Sequence, residues 1–82
     1  MEVLYFAWVR ERVGTDRETV APPEVIDVNG LIDWLMQRGD GYARALADRG
    51  RLRAAIDQRF VPLDALLGDA REVAIFPPVT GG

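Results

Sequence analysis

Asp27-Val28-Asn29-Gly30-Leu31-Ile32-Asp33-Trp34-Leu35 is the stretch on which the fold turns. Asp27 suits a helix N-cap, because its side chain can accept from backbone N–H groups that a first turn leaves unpaired. Val28, Leu31, Ile32 and Leu35 then share one helical stripe, the mark of a helix facing a core. Such a stripe must be laid on another layer, and the flanking sequence supplies strands on both sides. Gly39-Asp40-Gly41 ends this helix, and Tyr42 to Ala47 form a short second helix closed by Gly50.

Toward the N-terminus, Val3-Leu4-Tyr5-Phe6-Ala7-Trp8-Val9 is an apolar run with β-branched and aromatic bias, read as one strand. Alternation sets Val3, Tyr5 and Ala7 on one face and Leu4, Phe6 and Trp8 on the other. Both faces are apolar, so the strand is either covered on both sides or carries a sticky outer face. Residues 10–17 read as a polar turn, with Arg10 and Glu11 ending the first strand, and Glu18 to Ala21 return as a second strand stopped by Pro22-Pro23. Toward the C-terminus, residues 51–56 form a third strand, Asp57-Gln58-Arg59 a turn, and Phe60-Val61 a short fourth strand ended by Pro62. Leu63 to Leu67 turn over the core, and Glu72-Val73-Ala74-Ile75-Phe76 is the last strand. The order β-β-α-(α)-β-β-β predicts a two-layer α+β sandwich.

The residue types that are missing narrow the chemistry. The 82 residues carry a net charge of −3 and are 49% hydrophobic, which is the composition of one small globular domain. No Cys, His, Lys or Ser occurs. That removes disulfides, thiolate nucleophiles, zinc knuckles, imidazole bases, serine triads and the P-loop lysine, and no metal site is expected. Net acidity argues against a nucleic-acid partner. No apolar run nears the roughly 18 residues that span a bilayer. The acidic, strand-like Met1-Glu2-Val3-Leu4 is unlike a signal peptide, so a cytoplasmic location is expected.

After Phe76 the sequence ends Pro77-Pro78-Val79-Thr80-Gly81-Gly82. The prolines cannot continue a ladder, and residues 77–82 fully extended reach roughly 20 Å, enough to enter another protein's cleft. Glycine adds no bulk in a narrow channel and leaves the terminal carboxylate free in its dihedral angles. A terminal Gly-Gly alone is commonly just a loose end. A strand running into Pro-Pro and then Gly-Gly on a small α+β domain is far more specific.

On Glu72-Val73-Ala74-Ile75-Phe76-Pro77-Pro78-Val79-Thr80-Gly81-Gly82, and on the opening Val3-Leu4-Tyr5-Phe6-Ala7-Trp8-Val9-Arg10-Glu11, the chain resembles the small, sulfur-carrying subunits of molybdopterin synthase. These are β-grasp (ubiquitin-like) proteins. The resemblance implies an α+β β-grasp domain over 1–76, with a mixed sheet of about five strands on one main helix plus a short second one, and an extended flexible tail over 77–82. It departs from the family at Ile56-Asp57, where Val-Asn is common, and at Asp69-Ala70-Arg71-Glu72, where Asp-Gly-Asp-Glu is common. Ala70 should resist a positive φ there.

The resemblance also implies a cycle. An activating enzyme spends ATP to adenylate the Gly82 carboxylate, and sulfur from a persulfide donor displaces AMP to leave a thiocarboxylate. Pro77, Pro78, Val79, Thr80 and Gly81 thread the terminus into the large synthase subunit, where sulfur passes to cyclic pyranopterin monophosphate to build the molybdopterin dithiolene. The chain would bind no cofactor, supply no catalytic side chain and work in a heterotetramer with two copies of each subunit. Other readings of the same terminus are a thiamine-type sulfur carrier, a ubiquitin-like protein modifier, and a plain β-grasp interaction module. Phe6, Phe60 and Phe76 are expected to form an outer apolar patch for the large subunit and the activating enzyme. Trp8 belongs either to that patch or to the core. Arg10 either caps a solvated turn or pairs with an acidic group on the activating enzyme.

Overall fold

Helix α2, Val28–Met36, forms where the apolar stripe placed it, with Val28, Leu31, Ile32 and Leu35 fully buried. A computed structural model of the chain describes residues 1–78. Each N–H in the first turn of α2 has a partner, as a buried helix end requires. Gly30 N–H donates to Asp27 Oδ1 at 2.8 Å, Leu31 N–H to the Asp27 carbonyl, and Val28 and Asn29 N–H to the Ala65 and Leu63 carbonyls. The 63–67 loop therefore turns over the core, with Leu67 inside, and also serves as half of the cap.

The strands are β1 (Glu2–Tyr5), β2 (Arg17–Thr19), β3 (Arg53–Ile56), β4 (Arg59–Val61) and β5 (Glu72–Phe76). They form one mixed sheet in the order β2-β1-β5-β3-β4, where β1 and β5 are parallel and the other neighbours antiparallel. Val3, Tyr5, Val73, Ile75 and Ala54 face the helices and complete the core with α2 and α3 (Asp40–Leu46). The sandwich and its five strands agree with the sequence.

The first element does not. Only residues 2–5 are strand; Ala7–Val13 is a helix, α1, so the expected 3–9 strand is wrong in its second half. Ala7 takes φ 54°, a left-handed conformation that ends the extended run in a single residue. The Phe6 carbonyl then accepts from Val9 and Arg10 N–H to start the helix. Gly14, at φ 97°, closes it by donating to the Arg10 carbonyl at 2.9 Å. Trp8 accordingly does not share the outer face with Leu4 and Phe6, and Arg10 lies within α1 rather than at a strand end. Gly39 does not terminate α2, which stops at Met36; it caps the start of α3.

The β3–β4 hairpin turns on Asp57 (φ 48°) and Gln58 (φ 71°), the doubly left-handed pair that suits the twist of adjoining strands. Asp57 Oδ1 also accepts from Arg71 and Glu72 N–H, both at 3.0 Å, and so pins the start of β5. In that loop the left-handed residue is Gly68, so Ala70 is spared the strain its side chain would incur.

Helix α3 crosses α1 at Gly41, where an added Cβ would lie 2.5 Å from the Arg12 carbonyl oxygen. Backbone on both sides cannot retreat cheaply. Gly41→Ala is expected to destabilise the domain by about 1–3 kcal/mol, read as a lowered midpoint in urea.

Glu18, in β2, ties together β1, α3 and the turn between α2 and α3. Its carboxylate accepts from the Tyr5 hydroxyl at 2.7 Å, the Tyr42 hydroxyl at 2.8 Å and the Arg38 guanidinium at 2.8 Å. Partial burial pushes the Glu18 carboxyl up, but the hydrogen bonds from Tyr5, Tyr42 and Arg38 outweigh it and hold the group below the usual carboxylate range. Burial first, and then the bond to Glu18, raises the Tyr5 phenol. A depressed carboxylate stabilises the fold above its unfolded pKa, and that share is lost as pH falls through the folded value. Glu18→Ala is expected to cost roughly 1–3 kcal/mol near neutral pH, since Tyr5 and Tyr42 lose their acceptor. Melting curves between neutral and acid pH should show the variant losing less stability on acidification than the parent.

Candidate functional site: the outer sheet face and the exit of the last strand

Because β1 and β5 run parallel with Tyr5 beside Ile75, both strands leave the sheet at the same end. Phe6 and Phe76 thus emerge together, followed by Pro77. Alternation places Leu4, Ala74 and Phe76 on the face away from the helices. Pairing of Ala55 with Ala74 and with Phe60 adds those two residues to the same face.

The result is an apolar hollow of about 440 Å³ whose walls include Phe6, Phe60, Phe76 and Pro77. Ala55 and Ala74 make its floor, and Phe60 and Phe76 stack with ring centroids 5.6 Å apart. Phe60 is 80% exposed and Phe6 44%, so the aromatic surface faces solvent rather than the core. The three expected phenylalanines are brought together.

The sequence gives no sign of the two alanines in this surface, and it assigns Pro77 to the tail rather than to the wall of the hollow. Period-two alternation marks the alanines' face, but only the pairing register shows that they lie between phenylalanine rings. Arg10 is exposed on α1, one helical turn beyond Phe6, and the expected turn at that point is absent. Pro77 and Pro78 are half-buried at the strand exit. Val79, Thr80, Gly81 and Gly82, the rest of the expected tail, lie outside the described residues. Among the described residues there is no cluster of three or more His, Cys, Asp or Glu that could hold a metal, and no helix long and apolar enough to cross a membrane.

A mixed five-stranded sheet wrapped on a central helix, with its last strand parallel to its first, defines the β-grasp class. The chain belongs to the ThiS family, whose model matches residues 3–82. It is 48% identical over 82 residues to the molybdopterin synthase sulfur carrier subunit of Escherichia coli K12, covering 100% of this chain and 99% of that protein. The Mycobacterium tuberculosis protein of the same name is 41% identical, with 100% and 96% covered. Among solved structures, SAMP1 from Haloferax volcanii superposes with a TM-score of 0.71 at 25% identity, over 100% of this chain and 98% of that one.

Proposed function

We propose that this chain is the sulfur-carrying subunit of a molybdopterin synthase in the cytoplasm, and that Gly82 is the carrying residue. An ATP-dependent activating enzyme adenylates the Gly82 carboxylate with loss of pyrophosphate, and a donor persulfide displaces AMP to form an acyl disulfide. A second thiol cleaves that S–S bond reductively to leave the thiocarboxylate and a disulfide, and the thiocarboxylate gives its sulfur to cyclic pyranopterin monophosphate in the large subunit. The chain acts as a tethered reagent, so its lack of Cys, His, Lys and Ser is compatible with the work. With no lysine amine or thiol in the chain, no side chain of either type competes for the activated terminus.

The observation that carries this reading is the shared exit of β1 and β5. Pro77 lines the apolar hollow, so a protein that covers Phe6, Phe60 and Phe76 also meets the chain where it leaves β5. A large subunit and an activating enzyme can therefore use one face in turn, and the heterotetramer follows if two large subunits pair and each holds one carrier. The likeness over the full length to sulfur carrier subunits supports the same assignment.

The test is mass spectrometry of the purified chain after incubation with activating enzyme, ATP and a sulfur donor. Exchange of one oxygen for sulfur at Gly82, followed by molybdopterin formation with the large subunit, is the expected result. Conjugates to lysine amines in place of the thiocarboxylate would favour a protein modifier, and an unreacted terminus would favour an interaction module.

A further inference from the structure

Among the described residues three arginines are held by carboxylates: Arg17 by Glu2, Arg38 by Glu18 and Arg49 by Asp33. Arg12 and Arg51 have no such partner among the described residues. Both guanidinium groups lie over the Trp8 ring instead, 4.7 and 5.4 Å from its centroid. They are thus no further apart than those two distances combined, which is close to one Debye length in physiological salt. Two like charges are gathered on one indole in a chain of net charge −3. The ring's quadrupole offsets part of their repulsion and keeps both arginines in place without neutralising either.

The location adds meaning. Trp8 lies in the first turn of α1, two residues after Phe6. Arg51 ends the short 3-10 turn Arg49–Arg51, two residues ahead of Arg53, which pairs with Phe76 at the end of β5. The cluster therefore flanks the end of the sheet from which Pro77 departs.

We propose that Trp8, Arg12 and Arg51 form an accessory docking site for an acidic surface on the protein that takes the tail, beside the apolar face and distinct from it. This rests on the carrier reading above. Charge complementarity selects a carboxylate-bearing partner surface: two unpaired guanidinium groups can each take a carboxylate, while the indole fixes their spacing. Such a contact steers encounter and sets the orientation in which the tail meets its channel.

The experiment compares the parent with R12Q/R51Q by stopped-flow association with the activating enzyme and, separately, with the large subunit over a range of salt concentrations. The double variant is expected to associate about tenfold more slowly at low salt with at least one of them. Its rate should also lose most of its salt dependence, with melting temperature and sulfur loading at saturating partner unchanged. An unchanged salt dependence with both partners overturns the proposal, whether or not the melting temperature falls. A lower melting temperature in that case identifies the cluster as a purely structural stack. A parent chain that loads no sulfur overturns the carrier reading and this proposal together, whereas normal loading by the parent with an unaltered variant overturns this proposal alone.

Discussion

A chain lengthened by one residue after Gly82 is expected to accept no sulfur and support no molybdopterin formation, while melting at the same temperature as the parent. Adenylation needs the terminal carboxylate in line with the α-phosphate of ATP, in a site closed to water. An added residue moves that carboxylate beyond the reacting position, and the internal peptide left at Gly82 is not a nucleophile. Gly82→Ala is a milder form of the same change. It keeps the carboxylate but adds a methyl group and narrows the dihedral range. Since misplacement of a reacting group by about 1 Å costs on the order of a hundredfold in rate, loading of that variant should fall by about that factor. The core ends with Val73 and Ile75 in β5, so neither change touches what holds the fold. Sulfur loading of the extended chain would overturn the carrier mechanism.

Phe60→Arg is expected to weaken binding to the large subunit by about a hundredfold or more, as loss of a central aromatic anchor does, with an unchanged circular dichroism spectrum. Phe60 is the informative position because it sits on the edge strand β4 and is 80% exposed, yet stacks on Phe76 over the alanine floor. Phe76 belongs to the same patch, but its strand lies between β1 and β3, so a charge there risks the sheet as well as the surface. Titration calorimetry checks the result. Undiminished affinity would remove the outer face from the docking surface.

The segments legible in the sequence were those whose local signals and tertiary fate coincide. Asp27 caps α2 and its stripe is buried, because helix periodicity and core contact demand the same residues. Glu72–Phe76 forms a strand and is followed by prolines, because β-branched and aromatic residues and a missing N–H act locally. The phenylalanine patch was legible in outline for the same reason: Phe76 is out of phase with Val73 and Ile75, so it must face away from them.

Residues 3–13 failed where local signals compete. Val3 to Val9 is apolar throughout and suits a strand. Its division at Ala7 depends on packing, since Val9 is fully buried in the core that α3 helps to build, and that burial offsets one left-handed alanine. The Gly14 C-cap and the arginines in the last turn of α1 were the available clues.

By itself the sequence determined a small α+β domain without Cys, His, Lys or Ser, a buried central helix and a last strand that runs straight into two prolines. Those features follow from residue types and from periodicity along the chain. Tertiary structure alone decided that β1 runs parallel to β5, which brings Phe6, Phe76 and Pro77 to one end of the sheet. It also decided that Ala55 and Ala74 floor the hollow, that Gly41 lies against Arg12, and that Arg12 and Arg51 meet on Trp8. Each of these joins residues far apart in the chain, and their proximity is set by strand pairing and helix packing, which leave no mark in local spacing.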